Sequence, residues 1–286
     1  MKKDVVKEVQ SFVLDHELNH LENGAGPYFL EPMVGFSSVD DPLFIDYKRI
    51  IGEFHMSPRE MFENEHGAGS LRSGTVICWI LPINKDTIRS NRRENVYPTR
   101  RWAHTRYFGE QFNVEIRKHI ARWLSDRGHR TVAPFLSDKF RQLDSPPAGV
   151  ASTWSERHAA FASGLGTFGL CDGLITRKGK AHRIGSVVTD LVIEPDKRPY
   201  THHNEYCLYH NGGQCAACVR RCPVGALSKE NGHDKYKCRE YVYETIVEEV
   251  SGGYGVKESG CGLCQTKVSC ETMIPVASAR ERLSAL

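Results

Sequence analysis

The residues richest in potential chemistry are thiols. Of the ten cysteines in a chain of 286 residues, eight fall in its last third: Cys207, Cys215, Cys218, Cys222, Cys238, Cys261, Cys264 and Cys270. The centre of the run reads Cys215-Ala-Ala-Cys218-Val-Arg-Arg-Cys222-Pro223, a C-x2-C-x3-C-P pattern. In bacterial ferredoxins this pattern holds [4Fe–4S] clusters, and the cysteine before the proline ligates the other cluster of a pair. Proline fixes its own φ and has no N–H to donate, which helps redirect the chain there. The pattern assigns Cys207, Cys215, Cys218 and Cys270 to one cluster. Cys222, Cys238, Cys261 and Cys264 fall to the second. Its chemistry is electron transfer.

Two competing readings use the same residues. The C-x2-C pairs Cys215/Cys218 and Cys261/Cys264 fit a four-cysteine zinc site, but zinc leaves the C-x3-C-P step and the count of eight unexplained. Disulfides need an oxidising compartment, and Met1-Lys-Lys-Asp-Val-Val-Lys-Glu begins no apolar signal core. One irregularity is Gly212, which stands where the ferredoxin pattern has its first cysteine. Cys207 can serve only if Leu208 to Gln214 folds back on itself, with Gly212 and Gly213 to bend it. His202, His203 and His210 lie nearby and could substitute as ligands, though they read more readily as solvated loop residues.

Composition sets broad limits. A chain with 26% charged and 40% hydrophobic residues can bury a sizeable core, and a net charge of +3 does not by itself imply nucleic acid. No apolar run approaches the roughly 20 residues that span a bilayer. The expected location is the cytoplasm, with no membrane partner. Basic density is local: Lys85, Arg89, Arg92, Arg93, Arg100, Arg101 and Arg106 crowd one segment, a docking face for an acidic partner or a solvated loop.

These residues need a scaffold. Residues 4–22 carry a loose helical apolar face, and Ser57-Pro-Arg-Glu60 is a helix start with a capping box. Thr75–Ile83 is a continuous apolar run of central-strand character, within which Cys78 reads as core. Phe112, Ile116, Ile120, Trp123 and Leu124 repeat at helical spacing, and Gly128 follows as the stop. Residues 130–134 read as a short strand, 144–149 as a loop and 154–163 as a helix. Strands are expected at 170–176 and 184–193, helices at 217–229 and 235–250, and a last helix closes the chain. The mixture argues an α/β or α+β body carrying a ferredoxin-like module.

A second segment completes the picture: Ser155-Glu-Arg-His-Ala-Ala-Phe-Ala-Ser-Gly164-Leu-Gly166-Thr-Phe-Gly169. Its glycines match G-x-G-x-x-G, but a helix precedes them and a strand follows, the reverse of a dinucleotide fingerprint. The glycines instead let backbone approach something broad and flat, or pack tightly on a neighbour. With Glu156-Arg157, the phrase Ala162–Gly169, Gly185-Ser-Val-Val-Thr-Asp190 and the eight cysteines, residues 70–275 resemble the epoxyqueuosine reductase and reductive dehalogenase group of corrinoid iron–sulfur enzymes.

The resemblance implies a nitroreductase-like α/β body (1–200), a two-[4Fe–4S] ferredoxin-like module (201–275) and a C-terminal helix (276–286). It implies a cobalamin held near Glu156, Arg157, Gly164, Leu165, Gly166 and Gly169. A ferredoxin or flavodoxin would feed the clusters, cobalt would be reduced, and a protein acid would protonate a small substrate. The chain departs from the group at that acid. The epoxyqueuosine enzymes carry an aspartate, and the dehalogenases a tyrosine, about where Val150 stands here. Asp144, His158 and Asp172 are the nearby substitutes. Leu170 replaces a usual lysine. The sequence ends at Leu286 without the helical repeats through which epoxyqueuosine reductases engage tRNA, so tRNA is the less favoured partner. The alternatives to a reductase are an electron-transfer or corrinoid-handling protein without turnover, a flavin-containing reductase, and a tRNA-modifying enzyme.

Overall fold

The apolar run that begins at Thr75 is the centre of the molecule. In the computed structural model, which describes residues 1–21, 24–146 and 148–284, it forms strand β2 (Thr75–Pro82), buried at every position. Preceding it are helix α1 (Lys2–Asp15), strand β1 (Met33–Ser38) and helices α2 (Leu43–Ile51) and α3 (Pro58–His66). After it come α4 (Lys85–Asn91), the long α5 (Arg100–Ser125) and β3 (Thr131–Val132). A hairpin of β4 (Gln142–Ser145) and β5 (Gly149–Ser152) leads to α6 (Glu156–Ala162). A second hairpin, β6 (Gly166–Phe168) and β7 (Leu174–Thr176), precedes β8 (His182–Thr189).

The main sheet has the order β1-β2-β8-β3, with antiparallel neighbours throughout. Side chains alternate across a strand, so β2 feeds two cores. Ile77, Trp79 and Leu81 pack with α1 and α5 through Val5, Val9, Phe112, Ile116 and Ile120. Val76, Cys78 and Ile80 face the other way, toward Phe44, Tyr47, Met61, Phe62 and the alanines of α6. The result is a mixed three-layer α–β–α body. Cys78 is core, as its apolar neighbours foretold. The capping box at α3 forms as expected, with the Glu60 N–H donating to Ser57 Oγ and the Ser57 N–H donating to Glu60 Oε2 at 2.7 Å.

The cysteine-rich part holds α7 (Ala217–Arg221), β9 (Leu227–Ser228), β10 (Gly232–His233) and α8 (Lys235–Glu240). Two π-helical stretches, Tyr241–Thr245 and Val247–Ser251, then lead into the single turn α9 (Gly252–Tyr254). Helix α10 (Ala277–Ser284) ends the description; residues 285 and 286 of the expected C-terminal helix, and residue 22 of the first, lie outside the described residues. The helix expected at 217–229 stops at Arg221, because Cys222 precedes Pro223 and takes the extended backbone that position favours. The loop expected at 144–149 instead contributes to hairpin β4–β5, whose half-exposed residues carry no strand periodicity.

The cysteine-rich part is stitched to the body by backbone. Phe168 N–H donates to His203 O at 2.6 Å, and Lys180 N–H donates to Cys270 O at 2.9 Å. Gly185, at the middle of β8, lies under Trp79: a Cβ there would stand 2.6 Å from the indole and 2.7 Å from Asn113 Oδ1. Gly185→Ala should therefore break the Trp79–Asn113 hydrogen bond and destabilise the body by about 1–3 kcal/mol. A fall in thermal midpoint without change of secondary structure is the expected readout.

Candidate functional site

A cavity of about 530 Å³ opens between the body and the cysteine-rich part. Its body wall is built on α5, α6 and β8, which meet around one guanidinium. Arg117 is 1% exposed. It donates to Glu110 Oε1 at 3.1 Å, Glu156 Oε1 at 3.0 Å and the Ile184 carbonyl at 3.1 Å, and lies over the Phe135 ring. Arg183 from β8 also donates to Glu110, at 2.8 Å from Nε, and Ser186 donates its hydroxyl to Glu156 Oε2.

The two carboxyls diverge. Burial would raise both, but the charges of Arg183, Arg117 and Arg106 bring Glu110 down to about 2. Burial wins at Glu156 over Arg117 and Ser186, and its carboxyl sits above the usual range. Neighbouring acids driven apart in this way are suited to different roles, one a fixed anion and the other a proton carrier. Two buried polar atoms on cavity residues have no protein partner: Arg117 Nε and His182 Nδ1. His182 donates from Nε2 to the Leu174 carbonyl, and burial lowers its pKa to about 4, so the ring is neutral with its other nitrogen free to accept.

The opposite wall carries thiols. Cys222, Cys238, Cys261 and Cys264 all border this cavity. Cys207, Cys215, Cys218 and Cys270 border a second, smaller one. Cys218 lies on α7 and Cys222 just past its end, and the two border different cavities. The segment after Cys207 does fold back, through Gly213 N–H donating to Leu208 O at 2.8 Å and Asn211 N–H donating to Cys207 O at 3.1 Å. His202, His203 and His210 are exposed. All ten cysteines are free thiols, and among the described residues no cluster of His, Cys, Asp or Glu is gathered as a single-ion site. Cys171 also borders the large cavity, so five thiols surround it and four surround the small one, a donor set suited to iron–sulfur cubanes.

Side chains from the body fix the cysteine loops. Gly260 and Gly262 flank Cys261 with φ of +60° and +69°. A Cβ on Gly262 would lie 2.0 Å from the Trp102 ring, and one on Gly260 would lie 2.9 Å from Arg106 Cγ. Arg221, beside Cys222, donates to the carbonyls of Glu94, Leu263 and Thr266 at 2.6, 3.3 and 3.2 Å.

The expected site residues separate. Glu156 and Arg157 border the large cavity, and Gly169 borders the small one. Gly164 and Leu165 pack against Lys197 and β1, and Gly166 packs against β7, where a Cβ would meet the Ile175 carbonyl at 2.3 Å. The glycine phrase therefore serves close packing of a hairpin. Asp144 is exposed and pairs with Arg239 at 2.9 Å, while Val150 lines the cavity. His158 lies among Tyr47, His55 and Phe168, where burial and then the charge of Arg157 hold its pKa well below the usual value. Asp172 accepts from His233 at 3.0 Å; burial opposes its ionisation, but His233 and Arg157 prevail and its pKa is lowered.

Residues without a motif also matter here. Glu110 and Arg117 share helical spacing with Phe112, Ile116 and Ile120, so charged residues on an apolar face were the available signal. Cys171 and Lys180, buried beside the thiols, carry no spacing signature. The basic segment splits: Arg89 pairs with Asp86, Arg92 with Glu271, and Arg106 lies under the Gly260 loop.

No family model matches the chain. Over 162 residues it is 24% identical to the epoxyqueuosine reductase of Staphylococcus aureus, covering 55% of this chain and 38% of that protein. It is 27% identical over 133 residues to the enzyme of Francisella cf. novicida, covering 44% of this chain and 34% of that protein. Over 72 residues it is 40% identical to a tetrachloroethene reductive dehalogenase of Desulfitobacterium hafniense, covering 25% of this chain and 12% of that one. The chain spans less than half the length of these curated relatives. Among solved structures, an epoxyqueuosine reductase with a tRNA-Tyr stem loop superposes with a TM-score of 0.53 at 18% identity, covering 97% of this chain and 68% of that one. The Streptococcus thermophilus enzyme gives 0.50 at 14%, covering 98% and 66%. These structures share the mixed α/β fold. The chain is thus similar in sequence to epoxyqueuosine reductases and reductive dehalogenases, and in fold to epoxyqueuosine reductases.

Glu110→Gln should remove the anion held between Arg117 and Arg183 and cost about 3–5 kcal/mol. Because its folded pKa lies below the ordinary 4.5, the stabilisation from Glu110 is full above that pH and is lost as pH falls toward 2. Acid unfolding of the variant should lose that limb, as followed by circular dichroism.

Proposed function

We propose that the chain is an iron–sulfur oxidoreductase of the corrinoid type, passing low-potential electrons through two [4Fe–4S] clusters to a cobalamin and on to a small substrate. One juxtaposition carries this reading. Cys222, Cys238, Cys261 and Cys264 border the same cavity as the charged wall of Glu110, Arg117, Glu156 and Arg183. A cluster held there would face whatever the cavity binds, with no further side chain needed to relay electrons. The first quartet would take electrons from a ferredoxin or flavodoxin.

The cavity suits a large organic cofactor. Its volume lies within the roughly 300–1,000 Å³ of ordinary ligand sites, and it is open on one side, leaving room for a macrocycle to protrude. Phe135, Phe140 and Trp154 offer apolar surface. Arg117 Nε and His182 Nδ1 offer a donor and an acceptor that the protein leaves unmet, as an amide-bearing ligand requires. A bound corrinoid would supply the low-potential cobalt centre at which the substrate is reduced.

The remaining chemistry belongs to the chain. Glu156 is the cavity carboxyl that burial holds above the usual carboxylate range, with Ser186 and Arg117 fixing its orientation. It takes the role of proton donor ahead of Asp144 and Asp172, which are paired with Arg239 and His233, and ahead of His158, which is packed among Tyr47, His55 and Phe168. Glu110 keeps Arg117 and Arg183 in register without itself changing charge. Arg157, Lys235 and Arg239 bring positive charge to the cavity wall and would favour an anionic or phosphate-bearing substrate.

A second reading is action on tRNA. It draws on those same cationic side chains and on the fold shared with a reductase solved with an epoxyqueuosine-modified tRNA stem loop. It requires RNA binding that weakens steeply with salt.

Anaerobically purified protein should contain iron and sulfide for two [4Fe–4S] clusters and should bind cobalamin, by elemental analysis and visible spectroscopy. Zinc in place of iron, or a released flavin in place of cobalamin, would refute the proposal. Glu156→Gln should retain both clusters and lower turnover by about 10²–10⁴-fold. Clusters and cobalamin reduction without consumption of any epoxide or halogenated compound would assign the chain to electron transfer alone.

A further inference from the structure

Between the two groups of thiols lies a lysine that no motif assigns. Lys180 follows the hairpin β6–β7 and is 3% exposed. It borders both the large cavity of the second quartet and the small cavity of the first. Its Nζ donates to Cys171 Sγ at 3.1 Å. Cys171 in turn lies against Cys218 of the first quartet and Cys264 of the second. Cys270 is within reach of the same ammonium.

The placement is built into the backbone. Lys180 N–H donates to the carbonyls of Cys270 and Glu271 at 2.9 and 3.2 Å, and Ala181 N–H donates to Glu271 at 3.2 Å. Gly179 permits this contact, since a Cβ there would lie 2.2 Å from Glu271 O. The body thus inserts one turn between the two seats and delivers a single cation at its tip.

We propose that the Lys180 ammonium, oriented by Cys171, is an electrostatic bridge between the two cluster seats that raises the reduction potential of both. The proposal rests on the two-cluster reading above. A reduced cubane carries one more negative charge than its oxidised form, and net charge and hydrogen bonds to sulfur set its potential. A buried cation bordering both cavities acts through a medium that screens it poorly, so it would favour the reduced state of a cluster held in either. Cys171 is a positioning residue here and not a ninth ligand.

Redox titration of anaerobically purified protein, followed by electron paramagnetic resonance and with iron counted in each sample, tests this. Lys180→Met and Lys180→Gln should keep wild-type iron and shift both clusters to more negative potentials. The expected shift is at least tenfold in the one-electron reduction equilibrium, about 59 mV. Lys180→Arg should stay near wild type, and Lys178→Met, an exposed lysine on the same turn paired with Glu31, should not shift at all. Cys171→Ala should retain the iron of both clusters.

Unchanged potentials in a fully loaded neutral variant would overturn the proposal, as would loss of one cluster's iron in Cys171→Ala. If both neutral variants fail to load iron while Lys180→Arg loads, the ammonium serves assembly and the proposal also falls. Wild-type protein without iron would instead sink the two-cluster reading itself.

Discussion

A guanidinium with 1% of its surface exposed is tolerable only if its charge is balanced and most of its donors are met. Arg117 meets that demand by drawing three elements together: Glu110 from its own helix, Glu156 from the start of α6, and the Ile184 carbonyl of β8. None of those elements can shift without stranding charge in a dry interior. The wall of the large cavity is consequently rigid. The same arginine also meets its two acids in different surroundings, since Glu110 has Arg183 and Arg106 beside it while Glu156 has a serine hydroxyl. The pair is split by its neighbours, with one acid held as a permanent anion and the other raised above the usual carboxylate range.

On the far side of the cavity the problem is different. Thiols from well-separated positions must face two points, yet the segment holding them has short helices and little core of its own. The body supplies what is missing. Trp102 and Arg106 press on the glycines around Cys261, Arg221 gathers carbonyls from both parts, and the turn at Lys180 passes between the seats. The cysteine-rich part is better described as interleaved with the body than appended to it.

Much of this was legible in the sequence, for identifiable reasons. Thr75–Pro82 is apolar throughout because β2 faces cores on both sides, and that pattern is hard to mistake. The expectation of two cysteine quartets came from one proline, Pro223, after Cys222. The strand at Met33–Ser38 was not visible, because Gly35 and two serines interrupt its apolar pattern. The hairpin β4–β5 was hidden for a different reason: β5 is half-exposed throughout, and Gln142, Leu143 and Asp144 of β4 are exposed. The glycine phrase promised either a flat ligand or close packing, and at Gly166 the tight approach of β7 favours packing. Arg117 escaped notice because a buried arginine looks the same in sequence as a solvated one. Its significance comes from partners 39 and 67 residues away.

Helix α5 carries a further consequence. Its first turns touch the Cys261 loop through Trp102 and Arg106, and its middle turns hold Glu110, Asn113 and Arg117 against β8. A helix is stiff along its axis, with about 1.5 Å of rise per residue, so Trp102 and Arg117 sit roughly 22 Å apart on one rod. The Cys261 loop and the acid-lined wall thus lean on one mechanical element, and a displacement at either end would be carried along the rod to the other.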